Sequence, residues 1–474
     1  MCLNNFNLPI KTRQYKNYYT NRLIEEEIAY NILELEEKAN RLYNQLNNEQ
    51  KNAFHAIVNS ALQNNSAFYF VSGYEGTGKT FLWNTIVSYL RARKKIVLTV
   101  ASSGVAALLL PNGRTAHSRF KIPLDIDDSS MCDIKRGSQL ADLIVETSLI
   151  IWDEALMTDK RCFEAFDRSL RDIMSNHDEC LKNKPFGGKV IVLGGDLRQI
   201  LPVIENGTRT QIINASIIKS YLWQYCQVFK LTINMRLQNG CLNNEQCNDM
   251  RSFGEWLLQL GEGLIESTKH DGETEASWIK IPDEFLIYTD DLKIKAIFEY
   301  TYPDFITNYF NMEYLKQRAI LTPTNDLADE INAYILDIVP KQSKEYLSVD
   351  SISKCFDTCN DADILYPTEY LNTLNANNFP QHRLLLKVGV PIMLLRNLNQ
   401  SIGLCNGTRL IITNLGDNII EAAIITGTNI GSKVYIPRIN LTTRGTKWPF
   451  ILCRRQFPIK VCYAMTINKS QGQN

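Results

Sequence analysis

The glycine-rich segment 73–80 carries the residue types needed to hold a chain of phosphates. It reads GYEGTGKT and matches the pattern G-x-x-x-x-G-K-[ST]. Glycines let the backbone curl so that its N–H groups point at phosphate oxygens, while the lysine reaches the β- and γ-phosphates and the last hydroxyl ligates magnesium. The segment therefore predicts a nucleoside triphosphate site. The predicted contacts are Gly73, Gly76, Thr77, Gly78, Lys79 and Thr80, with Thr80 also a magnesium ligand.

The sequence on either side of this loop favours a phosphate site over a glycine-rich turn with an exposed lysine. An apolar run, AFYFV (67–71), precedes the loop, and FLWNTIVSYL (81–90) follows it with apolar residues on one helical face. A strand, a loop and a helix in this order place the positive end of the helix dipole at the phosphates.

An acidic pair follows another apolar run. Asp153 and Glu154 come directly after SLIIW (148–152). A carboxylate at the carboxyl end of a strand beside the phosphate loop can hold Mg²⁺, and the neighbouring glutamate can polarise the attacking water. Acidic dipeptides are also common at exposed turns, but together with the loop this pair predicts triphosphate hydrolysis.

Two further polar residues are candidates for sensing the γ-phosphate. Gln199 lies just beyond the apolar run 189–194, and its neutral amide can hydrogen-bond a phosphate or a water without acting as a base. Arg236 follows the run 228–233, and a guanidinium stabilises charge that develops in phosphoryl transfer. The alternatives are a surface glutamine and a surface salt bridge. The predicted catalytic residues are therefore Lys79, Glu154, Gln199 and Arg236.

The composition is that of a globular protein and excludes a disordered or fibrous one. Hydrophobic residues make up 45% and charged residues 22% of 474, a length of about three domains. Equal numbers of basic and acidic residues, 51 each, exclude a polycationic coat but allow a local basic channel. No apolar stretch approaches the roughly 18 residues of a membrane span, and the N-terminal segment lacks the apolar core of a secretory signal.

The cysteines favour ordinary reduced thiols. Twelve of them in a chain of this length are too dilute for a disulfide scaffold. The close pairs Cys241–Cys247 and Cys355–Cys359 have no second pair or histidine at finger spacing, so zinc is the less favoured interpretation.

The elements that must position the loop and the acidic pair alternate between strand and helix. Over residues 46–236, short apolar runs closed by polar segments predict a parallel sheet buried on both faces. Over residues 383–440, short alternating runs separated by Gly and Asn predict a small antiparallel barrel or sheet. Residues 1–45 predict an amphipathic helix packed on the main body. Its apolar face would be formed by Ile24, Ile28, Ile32 and Leu35.

A series of short motifs runs from about residue 46 to the last residue. The motifs are LNNEQKNAF, GYEGTGKT, SSGVAA, GRTAHSRF, IIWDEALM, GGDLRQILPV, LTINMR, ILTPTN, VGVPIMLLRN, GLCNGTRL and TINKSQGQ. The series resembles the motifs of the petite-integration-frequency (Pif) helicases, a superfamily 1B group of ATP-driven DNA motors. The opening of the chain further resembles the lead-in to the helicase portion of Helitron-type transposon proteins.

The resemblance implies two RecA-like P-loop NTPase lobes that close on ATP and Mg²⁺ and grip single-stranded DNA. It places Gln50 against the adenine base. Hydroxyls, amides and a few cations suit the DNA contacts, because a motor must hold phosphates yet release them at every step. The implied contacts are Thr99, Ser103, Thr115, His117 and Ser118 from the first lobe and Asn325, Asn397, Lys469 and Ser470 from the second.

The resemblance also implies a division of the chain. A helical lead-in would occupy residues 1–45. The first lobe would occupy residues 46–236, with a small wedge insertion near 120–140 that splits the duplex. The second lobe would occupy residues 237–474, with an SH3-like β insertion near 383–440.

One family motif is missing. In the family, a YVALSR-like string follows the KSQGQ segment and supplies a second γ-phosphate arginine, whereas no such string occurs here. We therefore expect a fragment, a mis-predicted gene or a decayed copy, with the second lobe incomplete and turnover impaired more than nucleotide binding.

Three functions stay open. The motifs favour an ATP-dependent 5′–3′ DNA helicase acting on single-stranded and forked DNA. Such a protein is expected to be a monomer, with ATP as its small-molecule substrate, in the nucleus or the mitochondrion. Its setting would be DNA repair, recombination, telomere maintenance or transposon replication. The second possibility is a relic that binds nucleotide or nucleic acid without unwinding. The third is a signalling or metabolic P-loop ATPase, which would leave the second-lobe motifs unexplained.

Overall fold

The computed structural model describes most of the chain. Arg236, the two close cysteine pairs and the first 20 residues lie outside the described side chains. The described ranges are 21–204, 207–235, 244–269 (backbone alone for 244–247), 278–290, 292–353, 366–376, 378–427, 429–443 and 448–471.

Helices and strands alternate through the first half of the chain, and strands dominate the second. The helices are α1 (Arg22–Ile28), α2 (Ile32–Asn44), α3 (Asn48–Gln63), α4 (Lys79–Arg91), α5 (Gly104–Leu108), α6 (Ala116–Phe120), α7 (Gln139–Glu146), α8 (Lys160–Met174), α9 (Arg209–Ala215), α10 (Asn244–Glu262), α11 (Lys293–Thr301), α12 (Phe305–Asn308), α13 (Met312–Lys316), α14 (Asn325–Ile338), α15 (Thr368–Thr373) and α16 (Ile467–Ser470).

The strands have the following bounds. They are β1 (Ala67–Gly73), β2 (Ile96–Ala101), β3 (Arg114–Thr115), β4 (Thr147–Asp153), β5 (Val190–Gly195), β6 (Cys226–Leu231), β7 (Ser267–Thr268), β8 (Trp278–Ile279), β9 (Ile320–Thr322), β10 (Lys344–Leu347), β11 (Val349–Ile352), β12 (Arg383–Leu386), β13 (Pro391–Leu394), β14 (Arg409–Leu415), β15 (Ile419–Ile424), β16 (Lys433–Pro437), β17 (Ile439–Thr442), β18 (Leu452–Gln456), β19 (Ile459–Val461) and β20 (Ala464–Thr466).

The chain divides into two compact units. The first comprises Met1–Ser102 and Leu110–Glu262, and the second comprises Ser103–Leu109 and Gly263–Asn474. The first unit thus continues past residue 236, where the motifs place the boundary. Helix α10 belongs to this unit, and Glu262 at its end forms an ion pair with Arg198, which follows β5.

The first unit is built on a parallel sheet. Within the described residues its strand order is β3-β2-β4-β5-β1-β6, and its strand pairs are parallel. Every residue of β4 is buried, as the continuous apolar run predicts for a strand covered on both faces. Ser72 lies opposite Gly195, and Ala101 lies opposite Asp153. The carboxyl ends of β1, β5, β2 and β4 therefore lie along one edge of the sheet.

The lead-in differs from the single amphipathic helix that the sequence predicts. It forms two helices, α1 and α2, separated at residues 29–31. Ile24 packs on the core of the first unit, but Ile28 is 51% exposed and does not belong to the buried face. In α2 the buried residue is Ala39. The apolar spacing of four and three therefore runs across a break between two helices.

The second unit combines a short parallel pair with antiparallel sheets. Strand β9 pairs in parallel with β20. In the described part of the unit, one antiparallel sheet has the order β16-β15-β14-β13-β19 and another the order β11-β18-β17. The antiparallel strands predicted for 383–440 are therefore present, and they extend to β19 near the end of the chain.

A fully buried ion pair ties the second antiparallel sheet together. Arg454, in β18, donates from Nε and Nη2 to the Asp350 carboxylate, with a shortest distance of 2.6 Å. The same guanidinium donates to the carbonyls of Pro380 and Leu371 at 3.0 and 3.1 Å. One side chain thus joins two strands, a loop and α15.

We expect Arg454→Met to destabilise the second unit by about 3 kcal/mol, because it leaves a buried carboxylate without its cation. Arg455→Met is the matched control, since this neighbouring side chain on the same strand is exposed. Denaturant unfolding monitored by circular dichroism measures both changes. Equal unfolding midpoints for the two variants would contradict a stabilising role for the ion pair between Arg454 and Asp350.

No helix in the described ranges is long and apolar enough to cross a bilayer.

Candidate functional site

The phosphate loop connects β1 to α4 and depends on two glycines in the left-handed region. Gly76 has φ +89° and Gly78 has φ +80°. A Cβ at Gly76 would lie 2.6 Å from the Asn234 amide oxygen, and one at Gly78 would lie 2.5 Å from Gln50 Nε2. Both the conformation and the space therefore require glycine at these positions.

Lys79 and Thr80 open helix α4 directly after the loop. The Lys79 side chain is buried and its ammonium donates to the carbonyl of Gly73, which lies at the start of the loop. Thr77 N donates to the carbonyl of Tyr74 at 3.2 Å and closes the turn between them. A cation, a helix N-terminus and a curled backbone thus converge at one point, which is the arrangement that holds anions.

Asp153 is the last residue of β4 and is 6% exposed. Burial raises the pKa of its carboxyl, and the positive charge of Lys79 opposes that rise. Its Oδ1 accepts no hydrogen bond, and it lies against Gly194 at the end of β5, where a Cβ would approach it to 2.6 Å. A buried carboxylate oxygen without a donor fits a bound cation. Asp153 Oδ1 is thus suited to holding Mg²⁺, while Thr80, the second residue of α4, stays a predicted ligand.

Glu154 adopts a left-handed conformation, with φ 51° and ψ 41°. This conformation turns the chain sharply after β4. Burial and the neighbouring charge of Asp153 raise the pKa of Glu154 to about 7, and Lys79 opposes the rise. A carboxyl with a pKa in this range is suited to accepting a proton from water.

Ser102 fixes this turn, and the sequence gives it no role. Its hydroxyl donates to the Glu154 carbonyl at 2.6 Å and accepts from Trp152 Nε1 at 3.1 Å and from the Thr158 hydroxyl at 2.7 Å. Its backbone N–H donates to the carbonyl of Asp153 at 3.2 Å. A small hydroxyl residue immediately after β2, beside the end of β4, was the signal that could have identified it.

We expect Ser102→Ala to lower ATP turnover about tenfold while leaving nucleotide affinity unchanged, because the turn that carries Glu154 loses its central hydrogen bonds. Steady-state phosphate release and equilibrium binding of a fluorescent nucleotide measure the two quantities. Ser175→Ala is the matched control, since the Ser175 hydroxyl donates to Asp172 at the end of α8. Turnover equal to that of the control would exclude this role.

Gln50 braces the phosphate loop. The side chain is 1% exposed; its Oε1 accepts from the N–H of Asn47 at 3.0 Å, and its Nε2 donates to the carbonyl of Thr77 at 3.1 Å. Asn47 and Gln50 form the capping box of α3. Each of the two amide atoms keeps a second hydrogen-bonding position, so the adenine contact stays a prediction.

Gln199 lies after β5, half-buried, in a turn closed by its N–H to the Asp196 carbonyl at 2.9 Å. Its neighbour Arg198 forms ion pairs with Asp196 and Glu262 and lies over the Tyr74 ring at 5.7 Å. Arg198 is therefore held beside the phosphate loop. In the sequence, only its place shortly after the apolar run 189–194 separates it from an ordinary surface arginine.

Of the DNA contacts implied for the first unit, two have accessible side chains and two are buried. Ser118 is exposed and His117 is half-buried, whereas Thr115 is buried and donates to the Ser118 hydroxyl at 2.9 Å. Thr99 differs from a surface contact, since it is 4% exposed and its hydroxyl donates to the Pro111 carbonyl at 2.7 Å. This hydrogen bond from Thr99 anchors Pro111, and the segment that follows Pro111 leads to the other three residues.

The remaining implied contacts lie in the second unit. Ser103 is buried and caps α5 by accepting from the N–H of Ala106 at 3.2 Å. The Asn397 amide oxygen accepts from the N–H of Asn406 at 2.8 Å. Asn325, at the start of α14, and Ser470, in α16, are exposed.

Asn325 and Lys469 share a cavity of about 570 Å³ in the second unit. Its wall also contains Lys460 and Arg383. Burial, together with the charge of Lys460, lowers the pKa of Lys469 to about 8. The wall also contains Asp326 and Asp329, and Lys460 and Arg383 form ion pairs with Asp329 and Glu345, so the lining is mixed in charge.

Two models of known protein families match parts of this sequence. A family model for PIF1-like helicases matches residues 45–271, and a model for the 2B domain of the DNA helicase Pif1 matches residues 369–415. The chain belongs to the Pif1-like helicase family.

Curated relatives span bacteria and vertebrates. This Pif1-family chain is 31% identical to the ATP-dependent DNA helicase Pif1 of Psychrobacter over 173 residues, 36% of this chain and 25% of that protein. It is 21% identical to PIF1 of Xenopus laevis over 425 residues, 88% of this chain and 55% of that protein. It is 24% identical to Pif1 of Campylobacter jejuni over 424 residues, covering 80% of that protein. The chain thus spans a quarter of the length of the Psychrobacter protein and about half of the length of the Xenopus protein.

Solved Pif1 structures share the fold. A Bacteroides Pif1 in complex with ADP-AlF3 and single-stranded DNA matches 90% of this chain and 84% of its own, with a TM-score of 0.57 and 21% identity. A structure described as two coordinating Pif1 helicases unwinding forked DNA matches equally well, with a TM-score of 0.57 and 22% identity. The predicted α/β, RecA-like fold is therefore confirmed. The SH3-like character of the insertion stays a prediction.

Proposed function

We propose that this Pif1-family chain is an ATP-dependent DNA helicase that moves 5′ to 3′ on single-stranded DNA and unwinds forked duplexes. The observation that carries the proposal is the edge of the first-unit sheet. There the phosphate loop, the buried Asp153 and the turn at Glu154 are held by neighbouring strands. Family membership selects a DNA motor over a signalling or metabolic P-loop ATPase.

The residues of the loop would bind and orient the triphosphate. Backbone N–H groups around Gly76 and Gly78 would point at phosphate oxygens, and the Lys79 ammonium would exchange its contact with the Gly73 carbonyl for a phosphate oxygen. Asp153 and Thr80 would hold Mg²⁺, which when bound neutralises charge on the phosphates.

Glu154 would hold a proton taken from the attacking water. The hydrogen bonds of Ser102 to the surrounding turn fix where this carboxyl lies. Gln199 and Arg236 would contact the γ-phosphate, as the family motifs imply. These side chains would stabilise charge that develops in the transition state.

Single-stranded and forked DNA are the proposed partners. Relatives with this fold are described bound to single-stranded DNA and at forked duplexes. On this chain, exposed Ser118 and Asn325 and the cations around Lys469 offer polar contacts without a base-reading pattern. We further propose a monomer acting in the nucleus or the mitochondrion, in repair, recombination, telomere maintenance or transposon replication.

ATP turnover measured with and without a single-stranded oligothymidylate tests the proposal. We expect phosphate release that depends on Mg²⁺ and rises on addition of the oligonucleotide. A forked duplex with a 5′ single-stranded tail should be unwound, and one with a 3′ tail should not. Turnover that is indifferent to DNA would contradict the motor assignment, and unwinding from the 3′ tail alone would contradict the polarity.

A further inference from the structure

Helix α1 lies outside the residues that the family model matches, yet it places a carboxylate inside the first unit. The family model begins at residue 45. Glu27 is 8% exposed, although its neighbours Glu25 and Glu26 are exposed to solvent. Because a buried carboxylate is retained only when it is paired, its partners indicate what the helix holds.

Glu27 forms ion pairs with two buried arginines. One carboxylate oxygen accepts from Arg91 Nη2 at 3.3 Å, and the other accepts from Arg119 Nη2. The two arginine side chains are 3% and 7% exposed. Burial lowers the pKa of both guanidiniums, and the charge of Glu27 opposes that change. The carboxylate thus compensates two like charges at once.

The two arginines lie in different helices of the first unit. Arg91 is the last residue of α4, at the opposite end from Lys79 and about 18 Å along the helix from it. Arg119 lies in the five-residue helix α6, next to Ser118 and two positions after His117. So short a helix has little stability of its own, so side-chain contacts must set its orientation.

A second contact from the lead-in reaches the same segment. The Tyr30 hydroxyl accepts from Asn112 Nδ2 at 2.6 Å, and its ring lies 4.6 Å from the Arg91 guanidinium. Asn112 precedes β3 and α6 in the chain. The lead-in therefore holds residues 112–119 at both ends.

We propose that Glu27 is a positioning residue: its ion pairs with Arg91 and Arg119 hold α6 in the orientation that presents Ser118 and His117 to single-stranded DNA. This inference rests on the proposed function. Its effect is expected on DNA affinity, because α6 carries the DNA contacts whereas the phosphate loop lies at the far end of α4.

The test is ATP turnover of the full chain as a function of oligothymidylate concentration, for wild type and Glu27→Gln. We expect the half-saturating oligothymidylate concentration to rise about tenfold, as for the loss of one charge-assisted contact. Turnover without DNA and at saturating DNA should equal that of wild type. Glu27→Asp, which keeps the charge, should recover part of the affinity.

Glu26→Gln is the matched control, because this neighbouring glutamate is exposed and pairs with Arg22 on the surface. Should Glu27→Gln fail to fold, Tyr30→Phe is the second variant. It removes the Tyr30 hydroxyl, which accepts from Asn112 Nδ2 and donates to Glu27 Oε2 at 3.5 Å, and should raise the half-saturating concentration about threefold.

A folded Glu27→Gln, or Tyr30→Phe in its place, with an unchanged half-saturating concentration would overturn the inference. So would a loss of maximal turnover at constant half-saturation, which would indicate a merely structural role. Wild type that is not stimulated by oligothymidylate would instead contradict the proposed function itself, so the two failures are distinguishable.

Discussion

Replacing Lys79 with alanine is expected to lower DNA-stimulated phosphate release by a factor of about 10³. The ammonium is buried at the start of α4, where its contact with the Gly73 carbonyl keeps it inside the phosphate loop. Without it, the phosphates would lose a preorganised cation in a site shielded from solvent. Nucleotide affinity should fall together with turnover, because the lysine contacts the phosphates in the ground state as well as in the transition state.

The fold should survive this substitution, since alanine is the best helix former and Lys79 is the first residue of α4. Circular dichroism and the thermal midpoint would verify it. Lys95→Ala is the matched control, because Lys95 lies just beyond the other end of the same helix. Phosphate release that survives Lys79→Ala at the level of the control would remove the basis of the motor assignment.

The parts of the first unit that sequence predicts well are those set by local chemistry. Continuous apolar runs match the bounds of β1, β2, β4 and β5 to within one or two residues. A strand that is buried on both faces is apolar along its whole length, so its extent can be read directly from the sequence. The phosphate loop could be recognised because its backbone conformation requires glycine, as Gly76 and Gly78 show.

Roles that depend on distant partners could not be predicted in the same way. Glu27 stands in a run of three glutamates and looks like part of a solvated face, but its partners lie 64 and 92 positions along the chain. Thr99 is implied to contact DNA, and the sequence does not reveal that its hydroxyl donates to the carbonyl of Pro111. Gln50 is predicted to contact the adenine base, and the sequence does not reveal that its amide also forms the capping box of α3 and donates to the phosphate loop.

The break in the lead-in has a similar cause. The residues with helical spacing include Ile28, which the structure leaves half exposed, because α1 is oriented by the buried charge of Glu27 and by Ile24 on the core. An apolar periodicity reports what a continuous helix could bury. It carries no information about a charged residue that takes the buried position in place of an apolar one.

Glu154→Gln is expected to lower hydrolysis by a factor of about 10² to 10⁴ while leaving ATP bound. Glutamine keeps the shape of the side chain and can occupy the same left-handed turn, but it cannot accept a proton from water. Because Lys79 and the phosphate loop are untouched, the affinity for ATP should be retained or increased by the loss of a negative charge near the phosphates.

Two measurements separate this result from a general loss of activity. Filter binding of radiolabelled ATP should show a stable complex, and a single-turnover experiment should show that cleavage is the slow step. Glu146→Gln is the matched control, since Glu146 stands immediately before β4 and Glu154 immediately after it. If Glu154→Gln lost ATP affinity while the bound fraction still turned over normally, Glu154 would be a nucleotide contact and another residue would have to take the proton.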